Sequence, residues 1–263
     1  MKTQEKIFVI TGAGNGIGRA LTLLLLAKGA RVAAVDLKET YLNETAALAG
    51  DRRDNLSVHV LDITDREAVL TLPEAVIQMH GAVDGVINVA GIIQHFVRIN
   101  DMSFEAIENV FDVNFWGTLN MTKAFLPYLL ERPEAHSVNI SSRGGFLPVP
   151  GQTAYGASKA DVKLLTEGLH SELLNTNVHV TVVFPGAIAT NIKANSGLEA
   201  DNRTSSKLTS PDKAAEIIVK GMEKNKYNIM IGSDAKMMNF LCRLMPEQAA
   251  KLIYLQINSH LPA

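Results

Sequence analysis

Short apolar runs alternate along the chain with longer segments in which apolar residues recur every three or four positions. The short runs are rich in β-branched residues, and several lack polar alternation, which is typical of parallel strands buried on both faces. The longer segments have the period of amphipathic helices. The pattern predicts strands at 7–11, 31–36, 56–61, 83–88, 137–141, 178–184 and 227–231, and helices near 17–28, 39–49, 65–79, 103–130, 153–175, 212–224 and 234–257.

Strand–helix alternation with connections of this length predicts an α/β fold, a doubly wound parallel sheet of about seven strands with helices on both faces. Because no linker, repeat or low-complexity tract divides the sequence, residues 1–263 are interpreted as a single domain. The polar segment 187–210 interrupts the alternation and follows the carboxyl end of a predicted strand, where ligands bind in such sheets. We interpret that segment as a substrate lid.

Composition narrows the class of protein. Apolar residues make up 47% of the chain and the formal net charge is −2, which favours a compact protein and gives no basic excess for nucleic acid or an anionic membrane. A single cysteine, Cys242, excludes an internal disulfide, and the histidines include no i, i+4 pair for a helical metal site. Since no apolar run approaches the ~20 residues of a membrane span and no secretory leader is recognisable, the sequence predicts a cytoplasmic protein without a metal.

A glycine-rich loop connects the first predicted strand to the first predicted helix. Gly12, Gly16 and Gly18 have a Gly-x-x-x-Gly-x-Gly spacing, which allows a tight turn, close backbone approach to a pyrophosphate and close packing of helix on strand. Free N–H groups and the positive end of the helix dipole would then hold the phosphates. Asn15 and Ile17 are assigned to the same nucleotide site. The alternative is a simple turn, which the position between a strand and a helix disfavours.

The end of the second predicted strand carries the signal for the choice of cofactor. Asp36 lies there, followed by Leu37, and its carboxylate would accept hydrogen bonds from an adenosine ribose and repel a 2′-phosphate. The alternative is an aspartate that only caps the next helix. Asn15 is uncharged at a position where a basic residue would help bind the extra phosphate, although Arg19 is close. The sequence therefore favours NAD(H) over NADP(H).

A phenol and an ammonium lie four residues apart in a predicted helix, at Tyr155 and Lys159. A phenol with a pKa near 10 is a poor acid–base catalyst at neutral pH, and a neighbouring cation would lower that pKa. Ser142 ends another predicted strand and could hydrogen-bond a carbonyl or alcohol oxygen. Taken alone, such a pair is more often a surface accident than a catalytic site.

Together these motifs resemble the short-chain dehydrogenase/reductase superfamily, in its single-domain branch of about this length. The resemblance runs from about residue 6 to residue 190 in the family's order and spacing. It implies a Rossmann-type fold and hydride transfer between NAD(P)(H) and an alcohol or carbonyl group. We also expect a homo-oligomer, a dimer or a tetramer. It rests on the glycine loop, Asn88-Val89-Ala90-Gly91, Asn114, Ser142, the Tyr155/Lys159 pair and Pro185-Gly186.

The resemblance also implies roles for individual residues. Tyr155 would be the general acid/base, and Lys159 would lower its pKa and bind the nicotinamide ribose. Ser142 would orient the reacting oxygen, and Asn114 would hold a water in a proton relay. Further cofactor contacts are implied at Asp62 and Ile63 beside adenine, at Asn88, Ala90 and Gly91 in the cleft, and at Pro185, Gly186, Ile188 and Thr190 beside nicotinamide.

The sequence defines the substrate pocket less closely. A mostly apolar set of positions favours a non-acidic, moderately hydrophobic small molecule. The sequence departs from the family pattern at two places. Val89 stands where a second Asn is usual. The C-terminal part has an apolar segment, for which we consider three alternatives: packing in the core, packing between subunits, or lining a hydrophobic substrate pocket. The predicted substrate contacts are Gln94, Ser142, Phe146, Gln152 and Tyr155, with His95, Phe96, Gly144 and Val149 around them, and the apolar segment comprises Met237, Met238, Phe240, Leu241, Leu244 and Met245.

Two other functions are compatible with the same motifs. One is reduction of a carrier-bound or CoA-bound 3-oxoacyl group, for which Lys193 and Arg203 in the predicted lid would supply positive charge. The other is nucleotide sensing without catalysis, but such a protein would be expected to have lost part of the set formed by Asn114, Ser142, Tyr155 and Lys159.

Overall fold

A computed structural model describes residues 1–190, 192, 208–232 and 235–257. Within these residues seven strands form one sheet in the order β3-β2-β1-β4-β5-β6-β7, and all six pairings are parallel. The predicted fold class is therefore confirmed. The strands are β1 (Ile7–Thr11), β2 (Arg31–Asp36), β3 (Leu56–Val60), β4 (Gly85–Asn88), β5 (Ala135–Ile140), β6 (Val178–Pro185) and β7 (Asn228–Ile231).

Helices connect successive strands. Where the pattern predicted one helix at 103–130, the structure has two α-helices joined by a π-helical turn, Asp112–Trp116. Such a wide turn preserves the apolar spacing on either side, so periodicity alone does not reveal it. The helices are α1 (Gly16–Ala27), α2 (Glu39–Leu48), α3 (Arg66–His80), α4 (Phe104–Phe111), α5 (Gly117–Leu130), α6 (Thr153–Glu172), α7 (Pro211–Met222), α8 (Ala235–Leu244) and α9 (Pro246–Ile257).

Both faces of the sheet are buried, which explains the continuous apolar runs. On β1, Phe8 and Ile10 pack against α1, α2 and α7, whereas Val9 faces the opposite cluster with α3, α5 and α6. Alternate side chains of a strand point to opposite faces, so each strand contributes to both layers. Each fully buried aliphatic or aromatic side chain contributes roughly 1.5–3 kcal/mol to stability by leaving water.

The strand order places a cleft at the carboxyl ends of β1 and β4. The chain moves outward from β1 to β3 and then returns to add β4 to β7 on the other side of β1. At this reversal the connections leave in opposite directions, and ligands bind in the crevice between them. The predicted nucleotide loop and the predicted catalytic residues all follow carboxyl ends of strands and so lie along one edge of the sheet.

The predicted lid can be placed only at its two ends. Residues 191 and 193–207, which include Lys193 and Arg203, lie outside the described residues. The ends lie side by side, because the Ala189 N–H donates to the Thr209 carbonyl at 2.9 Å and the Thr209 N–H donates to the Ala187 carbonyl at 3.1 Å. Whether the segment between them closes over a substrate stays a prediction.

The apolar C-terminal segment forms α8 and the turn after it. Phe240, Leu244 and Met245 are 66%, 63% and 45% exposed, so these three side chains do not pack in the core of the described chain. The core alternative is wrong for them, since α8 lies outside both apolar layers of the sheet. Among the described helices, none combines the length and apolar character needed to cross a membrane.

Candidate active site

The glycine loop forms a shallow cradle at the end of β1. Gly12 has a φ of +64°, and a Cβ atom built on it would lie 3.0 Å from the Ala90 backbone, so both its conformation and its surroundings require glycine. Asn15 caps α1, with its side-chain oxygen accepting from the Gly16 N–H at 2.6 Å. Gly18 packs directly against the Gly12 carbonyl, where a Cβ would overlap it. The loop thus brings exposed backbone and a helix N-terminus to the cleft.

Gly14 is a position in the loop whose importance for the site geometry the sequence interpretation missed. A Cβ on Gly14 would lie 2.6 Å from the Tyr41 Cβ and 2.9 Å from an Asp36 carboxylate oxygen. The Gly14 N–H donates to that oxygen at 3.0 Å. The absence of a side chain at Gly14 is thus what lets Asp36 reach the loop backbone. The place of Gly14 between Gly12 and Gly16 was the available signal, but the spacing used for the motif passed over it.

A cleft of about 440 Å³ extends from the glycine loop across the ends of β2 and β4. Its size and its glycine floor, which side chains would fill, fit an NAD(P)-type dinucleotide. It brings together these predicted cofactor residues: Gly12, Asn15, Gly16, Ile17, Asp36, Leu37, Asp62, Ile63, Ala90, Gly91 and Thr190. It is also lined by residues not foreseen from the sequence: Lys38, Tyr41, Thr64, Asn109 and Asp112.

Asp36 is fixed at the mouth of this cleft. One carboxylate oxygen accepts from the Gly14 N–H and the other accepts from the Lys38 N–H, both at 3.0 Å. Arg19 is turned to α2, where its guanidinium donates to Glu44 at 2.6 Å and to the Thr45 hydroxyl at 3.1 Å. The arginine that complicated the cofactor prediction therefore has a carboxylate partner of its own.

Lys38 is the cation that the sequence interpretation did not consider. It lines the cleft, and its ammonium lies 5.0 Å from the centre of the Tyr41 ring, a distance typical of a cation–π contact. A 2′-phosphate at this end of the cleft would meet both the negative charge of Asp36 and the positive charge of Lys38.

The Tyr155 ring and the Ser142 hydroxyl lie together beyond the end of β5, where a Cβ atom built on Gly144 would be 3.4 Å from the ring and 3.5 Å from the hydroxyl oxygen. Ser142 opens a short 3₁₀ turn, Arg143–Gly145, and its hydroxyl oxygen accepts from the Gly144 N–H at 3.0 Å. Burial raises the pKa of the Tyr155 phenol, and its hydrogen bond with Ser142 acts in the opposite direction. The phenol is therefore protonated at neutral pH in this structure.

Lys159 lies one helical turn from Tyr155 and is almost fully buried. Its ammonium donates to the Ile140 carbonyl at 3.1 Å, and burial lowers its pKa to about 8. Burial is the largest influence on the pKa of Tyr155, and the lowering of that pKa by Lys159 stays a prediction. A Cβ on Gly91 would lie 3.0 Å from the Lys159 Nζ, so the ammonium borders the cleft.

Asn114 is fully buried in the π-helical turn, and its side chain is occupied by protein partners. Its oxygen accepts from the Ile92 N–H at 2.9 Å, and its nitrogen donates to the Ile92 carbonyl at 3.0 Å and to the Ser158 hydroxyl at 2.9 Å. The residue therefore joins the loop after β4 to α6. Its predicted part in a water relay stays a prediction.

Asn88 is placed differently from the sequence interpretation. Its side chain does not line the cleft but lies under it, donating to the Asn139 side chain at 2.8 Å and to Thr122 at 3.3 Å. Asn139 in turn donates to Thr166 at 3.0 Å. Asn88 is the last residue of β4, and its side chain points away from the cleft because it lies on the face of the sheet that packs against α5 and α6.

The segment after β6 lies beside the glycine loop. The Gly186 N–H donates to the Ile231 carbonyl at 2.9 Å, which extends the β6–β7 pairing beyond Pro185. Ile188 packs against the core layer that contains α1 and α7. Thr190 reaches the cleft, and a Cβ on Gly16 would lie 3.1 Å from its methyl group. Of these four residues only Thr190 lines the cleft itself.

The predicted substrate contacts fall into two groups. Gln94 and Gln152 are buried, and their amides hydrogen-bond the backbone. Phe146 packs edge-on against Phe184, with ring centres 5.4 Å apart. Of the remaining positions, Gly144 lies beside Ser142 and Tyr155; Gly144 and Val149 are half-buried, and His95 and Phe96 are exposed.

Comparison with known proteins gives consistent matches. The model of the short chain dehydrogenase family matches residues 6–201. A Mycobacterium tuberculosis protein named as an oxidoreductase, SadH, is 39% identical over 261 residues, which cover 95% of this chain and 94% of that one.

Two solved structures share the fold. A short-chain dehydrogenase/reductase from Burkholderia phymatum in complex with NAD superposes with a TM-score of 0.84 at 24% identity, covering 100% of this chain and 97% of that one. A short-chain dehydrogenase from Burkholderia cenocepacia J2315 in complex with NADP gives 0.82 at 24% identity, covering 96% of this chain and 99% of that one.

Proposed function

The chain belongs to the short-chain dehydrogenase family, and we propose that it transfers a hydride between NAD(H) and an alcohol or carbonyl group, with Tyr155 as the general acid/base. Family membership supports the coarser part, an oxidoreductase with a fold that binds NAD or NADP. The observation that carries the proposal is the proximity of Ser142 and Tyr155 around Gly144, with Lys159 one helical turn from Tyr155 and at the border of a dinucleotide-sized cleft.

The nicotinamide ring, when bound, supplies or accepts the hydride. In the reducing direction the carbonyl oxygen accepts hydrogen bonds from Ser142 and Tyr155, and Tyr155 donates the proton as the alkoxide forms. The raised pKa of the phenol suits this direction, because the proton is present at neutral pH. In the oxidising direction Tyr155 must first lose its proton, so that direction needs a higher pH or a positive charge nearby.

Lys159 has two roles in this proposal. Its ammonium, held by the Ile140 carbonyl at the border of the cleft, binds the ribose next to nicotinamide. It also provides the positive charge that stabilises the phenolate once the site is closed to water. With a pKa of about 8, the lysine is mostly charged at neutral pH and loses this charge in alkaline solution.

Asp36 supports a preference for NAD(H). Its carboxylate lies at the mouth of the cleft and is held by two backbone N–H groups, so a 2′-phosphate cannot displace it without breaking both bonds. Arg19, paired with Glu44, adds little positive charge there. Lys38 is the opposing influence, and we propose that the fixed carboxylate dominates.

A substrate screen tests the proposal. A panel of alcohols and ketones is assayed by NADH and NADPH absorbance, and we expect turnover of moderately hydrophobic members with a higher kcat/KM for NADH. Asp36→Ala should narrow the NADH preference by ~10-fold or more, which is about 1.4 kcal/mol, whereas Asp51→Ala, an exposed aspartate after α2, should leave it unchanged. A wild-type enzyme that prefers NADPH would contradict the cofactor assignment.

A further inference from the structure

The helix that carries Tyr155 and Lys159 begins without a cap of its own. Gln152 occupies the N-cap position of α6, and its side chain makes no capping hydrogen bond. The first N–H groups of a helix have no partner within the helix, and a Ser, Thr, Asp or Asn at the N-cap normally accepts from one of them. The N–H that such a residue would bind in α6 is that of Tyr155, three residues after the N-cap.

Gln94 provides this cap from a distant part of the chain. Its side-chain oxygen accepts from the Tyr155 N–H at 2.7 Å, and its side-chain nitrogen donates to the Gly151 carbonyl at 3.4 Å. The Gln152 side-chain amide in turn donates to the backbone carbonyl of Gln94 at 3.1 Å. Gln94 is 7% exposed and Gln152 is 5% exposed, so these bonds are shielded from water.

The same loop is anchored to the cleft on its other side. Ile92, two residues before Gln94, lines the cleft and is held at its N–H and its carbonyl by Asn114. Asn114 also donates to the Ser158 hydroxyl, which donates to the Tyr155 carbonyl at 2.8 Å. The Tyr155 backbone is therefore held at both polar groups: its N–H donates to Gln94, and its carbonyl accepts from Ser158, which is itself bonded to Asn114.

We propose that Gln94 is a positioning residue that fixes the Tyr155 phenol relative to the nicotinamide end of the cleft, an inference that rests on the proposed function. The sequence interpretation treated Gln94 as a substrate contact, but both of its side-chain polar atoms are engaged by backbone. Proton transfer needs the phenol within hydrogen-bond reach of the reacting oxygen, and small displacements are costly. Gln94 couples that distance to the loop that borders the cofactor.

Two substitutions separate the acceptor from the rest of the side chain. Gln94→Met keeps the length and removes both polar atoms, so the Tyr155 N–H loses its partner. Gln94→Glu keeps an oxygen for that N–H, at a helix N-terminus where a carboxylate is favoured. Thr181 in β6 provides the stability control, because Thr181→Val removes its hydrogen bonds with the His136 side chain and the Lys226 carbonyl and the residue does not line the cleft.

The readout is the single-turnover rate constant for hydride transfer, followed by NADH absorbance in stopped flow. We expect Gln94→Met to lower this rate constant at least ~10-fold while KM for NADH and for the carbonyl substrate stays within ~3-fold. Gln94→Glu should recover at least ~3-fold over Gln94→Met. Thr181→Val, which only reduces the folded fraction, should change the amplitude and not the rate constant. Amide exchange at Tyr155 should be faster in Gln94→Met than in the wild type.

Three results would overturn the inference while leaving the proposed function intact: an unchanged rate constant in Gln94→Met, equal losses in Gln94→Met and Gln94→Glu, or a raised substrate KM at constant kcat. The last would make Gln94 a substrate contact. If the wild type transfers hydride to no member of the panel with either cofactor, the proposed function fails and the inference fails with it.

Discussion

At the scale of single residues, the proposed chemistry depends on two buried titratable groups that lie one helical turn apart. Burial favours the neutral form of each, which raises the pKa of Tyr155 and lowers that of Lys159 to about 8. The types of these residues and their spacing are visible in the sequence. The direction of the tyrosine shift is not, because it depends on how completely the surrounding elements exclude water.

Removing the phenolic oxygen tests the role of Tyr155. Tyr155→Phe should lower kcat by at least ~100-fold, since the transferable proton is lost, and should leave the Kd for NADH within ~3-fold of wild type. Steady-state kinetics and NADH fluorescence titration measure the two quantities. Tyr254→Phe, at a 47% exposed tyrosine on α9, is the matched control and should behave as the wild type. Activity within a few-fold of wild type in Tyr155→Phe would contradict the assignment.

The buried ammonium of Lys159 should make stability depend on pH. An unfolded lysine keeps its proton to about pH 10.4, whereas the folded protein releases it at about 8, so between these values the unfolded state binds more protons and stability rises with pH. Relative to Lys159→Met, the wild type should gain roughly 2 kcal/mol in free energy of unfolding between about pH 7.5 and about pH 9.5.

Urea unfolding of both proteins at several pH values measures this difference. The window ends near pH 10, because above it the unfolded lysine also loses its proton and the folded and unfolded states no longer differ at this group. A wild-type-minus-mutant difference that stays constant across the window would show that Lys159 titrates as an exposed lysine.

At the scale of elements, the turns between strands and helices decide the shape of the site. The glycine loop, the π-helical turn at Asn114 and the start of α6 each bring backbone groups to the cleft. Of these, only the glycine loop has a strong sequence signal, because several of its positions have no room for a Cβ atom and must therefore be glycine. The π-helical turn and the cap from Gln94 depend on partners 22 and 61 residues away, which no local pattern encodes.

Two alanine substitutions contrast a required glycine with a dispensable one. Gly12→Ala should lower stability by more than ~1 kcal/mol and abolish measurable NADH binding, because the new Cβ is strained at a positive φ and meets the Ala90 backbone. Gly168→Ala, in the middle of α6 with open space around it, should raise stability by about 0.5–1 kcal/mol. Thermal unfolding and NADH titration measure both. Intact NADH binding in Gly12→Ala would exclude a close approach of the cofactor to the loop.

At the scale of the whole molecule, the two ends of the parallel strands differ in role: we call the side where the strands end the carboxyl edge and the side where they begin the amino edge. The carboxyl edge carries the cleft, whereas at the amino edge the buried Asp84 joins three elements. Its carboxylate accepts from the Ile7 N–H at 3.0 Å, from Arg132 at 2.9 Å and from Lys6 at 3.5 Å. This carboxylate therefore ties the starts of β1 and β4 to the end of α5.

Asp84→Ala should separate stability from activity. We expect the free energy of unfolding to fall by about 2 kcal/mol, because the Ile7 N–H is left unpaired in a buried position, while kcat of the folded enzyme at 25 °C stays within ~2-fold of wild type. Asp51→Ala is the exposed control and should change neither. A large loss of kcat in Asp84→Ala would show that the amino edge is coupled to the site.

The sequence by itself determined the fold class and the family. Continuous apolar runs and period-3.6 patterns report how each segment is buried, so the seven parallel strands could be predicted, and the glycine spacing and the Tyr155/Lys159 pair are local patterns as well. These features depend on neighbours in the chain, which a single sequence shows directly.

Only the tertiary structure decided which side chains meet. The Asn88 side chain lies beneath the cleft, and Arg19 pairs with Glu44. Lys38 and Tyr41 line the cleft, and the Gln94 side chain accepts a hydrogen bond from the Tyr155 N–H. Each of these outcomes depends on the path of a loop and on competition for a hydrogen-bond partner far away in the chain. Burial and long-range hydrogen bonding act between elements, and so they are fixed only when the sheet and its helices have come together.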